Sequence, residues 1–369
     1  MIQKKKKTAA KKPSPKTPVR QPLVLMVPEG EATSSITSQP CTILFDGRTG
    51  NLAQSLGLAE AMGWKNPEIW NLQPRWLRKW RTFVPVRWQY SNWPDARVGV
   101  VIGTGWDGSR ILARLKKERP QLFTIQLMRP AAWTRPADYD VVSFPQHDVG
   151  GVWKPGPNVI VTAGATNRVT PAMLAREADR WSGRLKGCRE PRLAVMIGGS
   201  TKRSTMTEKQ VKHLLDSTLH WAANNGGSLL VSTSRRTGEE LTRFARERLE
   251  NQPRDAKAVP FHFWSPDDPH HRDNPYFAYL AVAEAVVATA DSVSMVSEGA
   301  SAGKPVYLTA MGSDLKETKF NKRFFALMQK LGYAAKWEGK LTLRKQRQPL
   351  NDTASVAGFV QAVWNRTRG

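Results

Sequence analysis

Short apolar runs alternate along the chain with stretches of helical spacing. Cys41 to Phe45 is continuously apolar apart from Thr42 and predicts a buried strand, followed by the turn Asp46-Gly47-Arg48-Thr49-Gly50. Leu52, Leu56, Ala59 and Met62 then fall on one helical face. Val98 to Ile102 predicts the next strand, closed by Gly103-Thr104-Gly105 and a helix through Ile111, Leu112 and Leu115. Leu122 to Leu127, Val141 to Phe144 and Val159 to Thr162 predict three more strands. Strands and helices joined by short loops imply a parallel sheet covered on both faces.

The segment from Pro171 to Lys186 is helical and ends at Gly187, where a domain boundary is expected. The pattern then restarts. Leu193 to Ile197 is a strand ending at Gly198-Gly199-Ser200-Thr201, and Thr207 with Gln210 forms a capping box for a helix bearing Val211, Leu214, Leu215, Thr218 and Ala222. Ser228 to Ser232, Val259 to Phe263, Ala285 to Thr289 and Val306 to Thr309 are strands. Gly238 to Leu249 is a helix, and another starts near Ser294. The fold class is therefore α/β, with two doubly wound parallel-sheet (Rossmann-like) domains facing a cleft. The expected divisions are a disordered tail over 1–40, a first domain over 41–187, a second over 188–352, and a C-terminal helix over 353–369 placed to pack back on the first.

Charge changes the picture. The 369 residues carry 56 Lys and Arg against 31 Asp and Glu, a net +25. Residues 4–20 supply eight of those positive charges and no acid, so the rest of the chain still holds about +17. Such a surface attracts polyanions. The tail has no 7–15-residue apolar core and is not a secretory signal. Its Lys and Pro content also argues against a mitochondrial presequence. No apolar run approaches the ~20 residues of a membrane span. The two cysteines, Cys41 and Cys188, cannot build a disulfide framework. The six histidines lack thiolate or acidic companions at ligand spacing, so no metal is expected.

Three loops at strand ends carry candidate chemistry. Asp46 to Asn51 is Gly-rich and precedes a helix, without Walker or Gly-x-Gly-x-x-Gly spacing. It reads equally as a phosphate-side turn or as a tight turn. Gly198-Gly199-Ser200-Thr201-Lys202-Arg203 combines close-approach glycines, hydroxyls and cations, and Ser232-Thr233-Ser234-Arg235-Arg236 repeats the recipe one strand on. Solvated loop charge is the plainer alternative for each. The third loop runs from Asp291 to Pro305. A helix opens among its small residues around Ser294, and Glu298 lies about one turn in, placed to accept from the vicinal hydroxyls of a sugar. An ordinary strand-to-helix turn with a solvated Glu298 is the alternative.

The stretch from Asn274-Pro275-Tyr276 to Lys304-Pro305-Val306 resembles the donor half of GT-B glycosyltransferases, notably the peptidoglycan N-acetylglucosaminyltransferase. There a Glu five residues before Gly-x-Pro binds ribose, a spacing matched by Glu298, Gly303 and Pro305. Gly198-Gly199-Ser200 resembles their phosphate loop. The region from Leu44 to Trp364 resembles the mitochondrial fission family named for elongated mitochondria, in its bacterial form. The matching stretches are Asp46-Gly47, Gln54 to Glu60, Gly198-Gly199-Ser200, Ser234 to Thr237 and Thr289 to Met295. The resemblance implies a GT-B-like fold that binds a nucleotide-activated sugar, with no further cofactor. It places Gly198, Gly199, Ser200 and Thr201 at the diphosphate, Arg235 as counter-charge, Ser294 at the helix N-terminus and Glu298 at the ribose. The plant member's association with recruiting the fission dynamin implies, alternatively, a non-catalytic scaffold for a protein partner. Related transferases carry a His as candidate base where this chain has Asn51. Asp46 and Asp107, each at a strand end on the cleft side, are the candidate replacements, with helix capping the alternative for Asp46.

Six of the 14 tryptophans (Trp64, Trp70, Trp76, Trp80, Trp88 and Trp93) fall within residues 64–93, interleaved with Lys and Arg. This composition suits an anionic membrane interface. Core packing of Trp76 and Trp80 is the alternative, and stacking on nucleic acid has no accompanying motif. Together with residues 4–20, the segment predicts a cytoplasmic protein held peripherally on the inner face of the membrane.

Overall fold

A computed structural model describes residues 35–77, 83–95, 99–150, 153–200, 205–252, 258–268, 273–309, 319–343 and 348–368. Ser34–Gly369 is one compact unit. Residues 1–34, including the basic stretch 4–20, lie outside the described residues, as do Trp80, Thr201 and the pair His270-His271.

Two sheets of six parallel strands organise the chain. The first is built from β1 (Cys41–Phe45), β2 (Glu68–Asn71), β3 (Val100–Thr104), β4 (Phe123–Leu127), β5 (Val141–Pro145) and β6 (Val159–Thr162), in the order β2-β1-β3-β4-β5-β6. The second comprises β7 (Arg192–Ile197), β8 (Ser228–Thr233), β9 (Phe261–Trp264), β10 (Ala285–Thr289), β11 (Val306–Thr309) and β12 (Ala334–Lys336), in the order β12-β11-β10-β7-β8-β9. Each order reverses once, between β1 and β3 in the first sheet and between β7 and β10 in the second. Those reversals are where loops part and a crevice opens beyond the strand ends. The expected α/β class, with two doubly wound Rossmann-like halves, is what the chain adopts.

The helices are α1 (Thr49–Met62), α2 (Gly105–Glu118), α3 (Pro171–Trp181), α4 (Glu208–Asn224), α5 (Glu239–Glu250), α6 (Tyr276–Val282), α7 (Val293–Ser301), α8 (Lys319–Lys330) and α9 (Asp352–Arg368). Alternation along the strands decides which helix each face meets. Ile43, Val100, Ile102, Phe123 and Ile125 pack with Leu58 of α1 and Val356, Val360 and Val363 of α9. Leu44, Val101, Val142 and Phe144 point the other way, onto Ile111, Leu112 and Leu115 of α2. Burying each such aliphatic side chain contributes ~1.5–3 kcal/mol before conformational entropy is counted. The Thr207–Gln210 capping box forms at the start of α4.

The chain crosses between the halves twice. After β6, the segment Ala163–Arg168 leads into α3, which packs on α6 and sends Trp181 into the core of the second sheet. After β12, the chain returns and α9 packs against α1 and the first sheet. Core membership therefore changes at residues 163–170, ahead of the Gly187 boundary expected from the sequence. The polar end of α3 gave no sign of which core its apolar face would join. The two crossings lie side by side. The Asp352 carboxylate accepts from the backbone N–H of Gly164 at 2.6 Å and of Ala163 at 3.3 Å, and Asn167 N–H donates to Thr353 Oγ1 at 2.9 Å.

Within the Trp-rich segment the roles divide. Trp64 is buried and donates from Nε1 to the Gln39 carbonyl at 3.0 Å. Trp70 and Trp93 pack partly buried against the first core. Trp76 is 72% exposed, Phe83 84% and Trp88 61%. Core packing of Trp76 is thereby set aside. Both cysteines are buried free thiols, and burial pushes Cys41 up to about 12, leaving no thiolate at neutral pH. Among the described residues, no helix is long and apolar enough to cross a membrane.

Candidate functional site

The reversal in the second sheet brings the ends of β7 and β10 together. Gly198 and Gly199 follow β7, and the ideal position of a Cβ on Gly198 lies 2.3 Å from the Asp291 carboxylate. A Cβ on Gly199 would lie 2.0 Å from the Arg236 backbone. Both glycines are therefore required by contacts within the protein. Asp291 accepts from Gly199 N–H at 3.1 Å and from Thr289 Oγ1 at 2.6 Å, and pairs with the Arg236 guanidinium at 2.7 Å. Its side chain is only 4% exposed. An internal carboxylate thus occupies the seat that the sequence reading gave to a phosphate. The cation that meets it is Arg236, which is itself exposed, as is the Arg235 that the sequence favoured. Ser200 Oγ accepts from Met206 N–H at 3.0 Å and closes the loop.

Beyond β10, Ser292 caps α7, its Oγ accepting from Met295 N–H at 3.4 Å. Ser294 sits in the first turn, two residues inside that cap. Glu298 lies one turn further, 9% exposed. Its Oε2 accepts from the Tyr276 hydroxyl at 2.5 Å, and its Oε1 has no hydrogen-bond partner among the described residues. Burial pushes the Glu298 carboxyl up to about 7, with the Tyr276 bond pulling the other way. Burial, then the neighbouring carboxylate, drives the Tyr276 phenol well above its ordinary value. Tyr276, near the start of the stretch that resembles a donor half, is thus the protein's own partner to the candidate Glu298, a pairing the sequence did not reveal.

The reversal in the first sheet holds a cavity of about 460 Å³ beyond β1, β3, β4 and β5. Arg48 and Asn51 line it from the start of α1, Trp106 from the start of α2, Met128 and Arg129 from the loop after β4, and Asp148 from the turn after β5. Met128 has φ 63°, a left-handed conformation unusual outside glycine. The Gln126 side chain holds that bend by donating to the Met128 and Gly105 carbonyls. Trp106 carries the Arg110 guanidinium over its ring at 4.7 Å.

The acids of this region differ sharply. Asp46 is 5% exposed at its side chain, and its oxygens accept from Arg48 N–H at 3.1 Å and Asn51 Nδ2 at 2.9 Å. It is a turn-building carboxylate that fixes two lining residues. Asp107 is buried at 2% exposure in the first turn of α2 and is not part of the cavity lining. Asp148 does line the cavity, is 9% exposed, and accepts no hydrogen bond among the described residues. Burial pushes it up to about 6, against the pull of Arg129. The sequence reading looked for chemistry at Gly-rich loops and so passed over Gln146-His147-Asp148. The rule that ligands gather at strand ends, applied to β5, would have found it.

The two reversals adjoin each other. A Cβ on Gly50, at the start of α1, would come within 3.9 Å of Ser294 Oγ in α7. Ala165 N–H donates to Ser297 Oγ at 3.0 Å and Asn167 Nδ2 to Ser301 Oγ at 3.0 Å, tying α7 to the first crossing. His147 beside Asp148 meets Phe324 of α8 edge-on at 5.0 Å.

With this geometry in view, the chain can be set beside known proteins. Among solved structures it is similar to a UDP-GlcNAc 2-epimerase from Neisseria meningitidis bound to UDP-GlcNAc. The identity is 10% and the TM-score 0.45, covering 89% of this chain and 99% of that one. A likeness at that level carries no argument about substrate. The mitochondrial fission protein ELM1 of Arabidopsis thaliana is 27% identical over 280 residues, 70% of this chain and 62% of that protein. The chain thus spans less than two thirds of the plant protein's length. Uncharacterized protein RP120 of Rickettsia prowazekii is 26% identical over 306 residues, 72% of this chain and 82% of that one. The family described as Mitochondrial fission ELM1 matches over residues 49–364, from the start of α1 into α9 and so across most of both halves, and the chain belongs to that family.

Proposed function

We propose that the protein binds a nucleotide-activated sugar in its second half and transfers the sugar to an acceptor held by the first, a glycosyltransferase acting on a lipid-linked or envelope acceptor. The observation that carries this reading is Glu298. A carboxyl that is 9% exposed, tied through one oxygen to Tyr276 and unpartnered at the other, is set to receive hydroxyl donors. It stands in the helix that opens at the β10 strand end and faces the first half. Ribose hydroxyls at Glu298 would leave the diphosphate near the α7 N-terminus and Ser294, where helix dipole and N–H groups favour an anion. Gly198, Gly199, Ser200 and Arg235 would stand on the other side, with Asp291 already in the inner seat. A diphosphate then lies outside Asp291, toward Arg235 and Arg236, or displaces it.

Calorimetry of the full chain with a panel of uridine and adenosine diphosphate sugars tests the reading. Glu298→Ala is expected to weaken the best ligand by ~1.5–3 kcal/mol, the scale of hydrogen bonds to a charged group. Unchanged affinity in a folded variant removes Glu298 from the site. A wild type that binds none of the panel removes the donor reading altogether.

A second reading is favoured by the exposed rings of Trp76, Phe83 and Trp88 beside Arg75 and Arg87. In it the protein is a scaffold on an anionic membrane surface that recruits a protein partner, in keeping with the fission protein named among its relatives. The two readings use different faces and are separable by variants in each.

A further inference from the structure

We infer that the cavity at the first-sheet reversal is a site for a small hydroxyl compound carrying a phosphate or carboxylate group, with Arg48 and Arg129 on the anion and Asp148 accepting from the hydroxyl. The volume of about 460 Å³ suits a small ligand, within the ~300–1,000 Å³ usual for such pockets. α1 and α2 both begin at its wall, so two positive helix ends and two guanidinium groups favour an anion there. A bare anion does not account for Asp148. Asp148 lines the crevice at 9% exposure, beside Arg129 and without a hydrogen bond among the described residues, so its oxygens are open to a hydroxyl donor on a ligand in the cavity. Asp46 is not placed for this part, because it is not among the lining residues and each of its oxygens already accepts from Arg48 or Asn51.

As far as reaction is concerned, this rests on the transfer proposed above; as far as binding is concerned, it stands alone. In the transfer, the acceptor oxygen bonds to the anomeric carbon of the nucleotide sugar as the bond from that carbon to the nucleoside diphosphate breaks. The diphosphate leaves with the electron pair, and the hydroxyl proton passes to Asp148. A carboxyl held near 6 is well matched to receive a proton at neutral pH.

Binding of glycerol 3-phosphate, glycerate, inorganic phosphate and glycerol to the full chain, followed by calorimetry and ligand-observed magnetic resonance, decides the matter. The wild type is expected to bind glycerol 3-phosphate or glycerate more tightly than inorganic phosphate or glycerol, and the tighter of the first two names the anion. Arg129→Gln is expected to weaken that ligand roughly tenfold, the loss of one charged hydrogen-bonding group. Asp148→Asn is expected to weaken it several-fold while leaving inorganic phosphate bound as tightly or more so, a split that general damage to the cavity does not produce. Failure of all four probes to bind, or equal affinities in the wild type and both variants with unchanged melting temperatures, overturns the inference. Nucleotide-sugar binding, measured on the same variants, is expected to persist. Its loss in the wild type would count against the donor reading and not against this cavity.

Discussion

At the residue scale, Glu298 couples the proposed site to pH. Its folded carboxyl titrates near 7, above the ordinary 4.5, so between those values the native state holds a proton that the unfolded chain has released. Stability from this group is complete below about pH 4.5 and is lost as the pH rises through about 7, on the order of 3 kcal/mol in all. Glu298→Gln keeps a neutral group in place and is expected to flatten this fall. Melting temperatures of variant and wild type should agree most closely near pH 4 and separate toward pH 8, with the variant higher. Parallel curves across that range would show that Glu298 titrates normally. Ribose hydroxyls favour the charged form, so binding a nucleotide sugar near pH 6 should release a proton, seen as a heat that depends on the buffer's ionisation enthalpy.

Helix α1 shows how an element can be specified by what it must approach. Gly57 faces the first crossing so closely that a Cβ would lie 2.3 Å from the Asn167 carbonyl oxygen. One turn on, Glu60 clamps Arg168 through two hydrogen bonds. Gly57→Ala improves helix propensity by ~1 kcal/mol and still is expected to destabilise the protein by ~1–3 kcal/mol, because backbone must move. Chemical denaturation measures the net effect, and a more stable variant would show that the contact gives way freely. Such elements were only partly legible in the sequence. The strands β1, β6, β10 and β11 stand where their continuous apolar runs placed them, because strands buried on both faces need unbroken apolar sequence. The edge strand β2, Glu-Ile-Trp-Asn, and the three-residue β12 carry no such run and were not foreseen. The Gly198-Gly199 loop was located at once, but its partner was not. That Asp291 reaches it depends on pairing of β7 with β10, and no local pattern records that pairing. Asp148 is a different case: its turn carries no glycine to mark it, although its place directly after β5 is a strand-end signal.

The whole molecule carries +25, and among the described residues three of the exposed aromatic side chains, Trp76, Phe83 and Trp88, fall in one stretch of the chain, with Trp133 exposed elsewhere. If the protein rests on an anionic membrane, two forces should separate. Deleting residues 2–20 is expected to reduce vesicle co-sedimentation mainly on anionic lipid and at low salt, since each basic residue contributes ~1 kcal/mol at best within a Debye length of ~8–10 Å. Replacing Trp76, Phe83 and Trp88 by Ala is expected to remove the part that survives high salt. Equal binding of the intact protein to neutral and anionic vesicles would dispose of the electrostatic half. Unchanged binding of the triple variant in high salt would dispose of the other.

The paired crossings also govern how the two halves can move. A single linker would allow swivelling, bending and drift. Here two strands of chain run abreast, stitched by Asp352 to Ala163 and Gly164 and by Thr353 to Asn167. The arrangement is that of a door hung on two pins, free to swing about the line joining them and stiff against torsion. Any opening of the two halves is therefore expected to follow mainly one angle, and closing would return the start of α1 to the start of α7 in the same alignment.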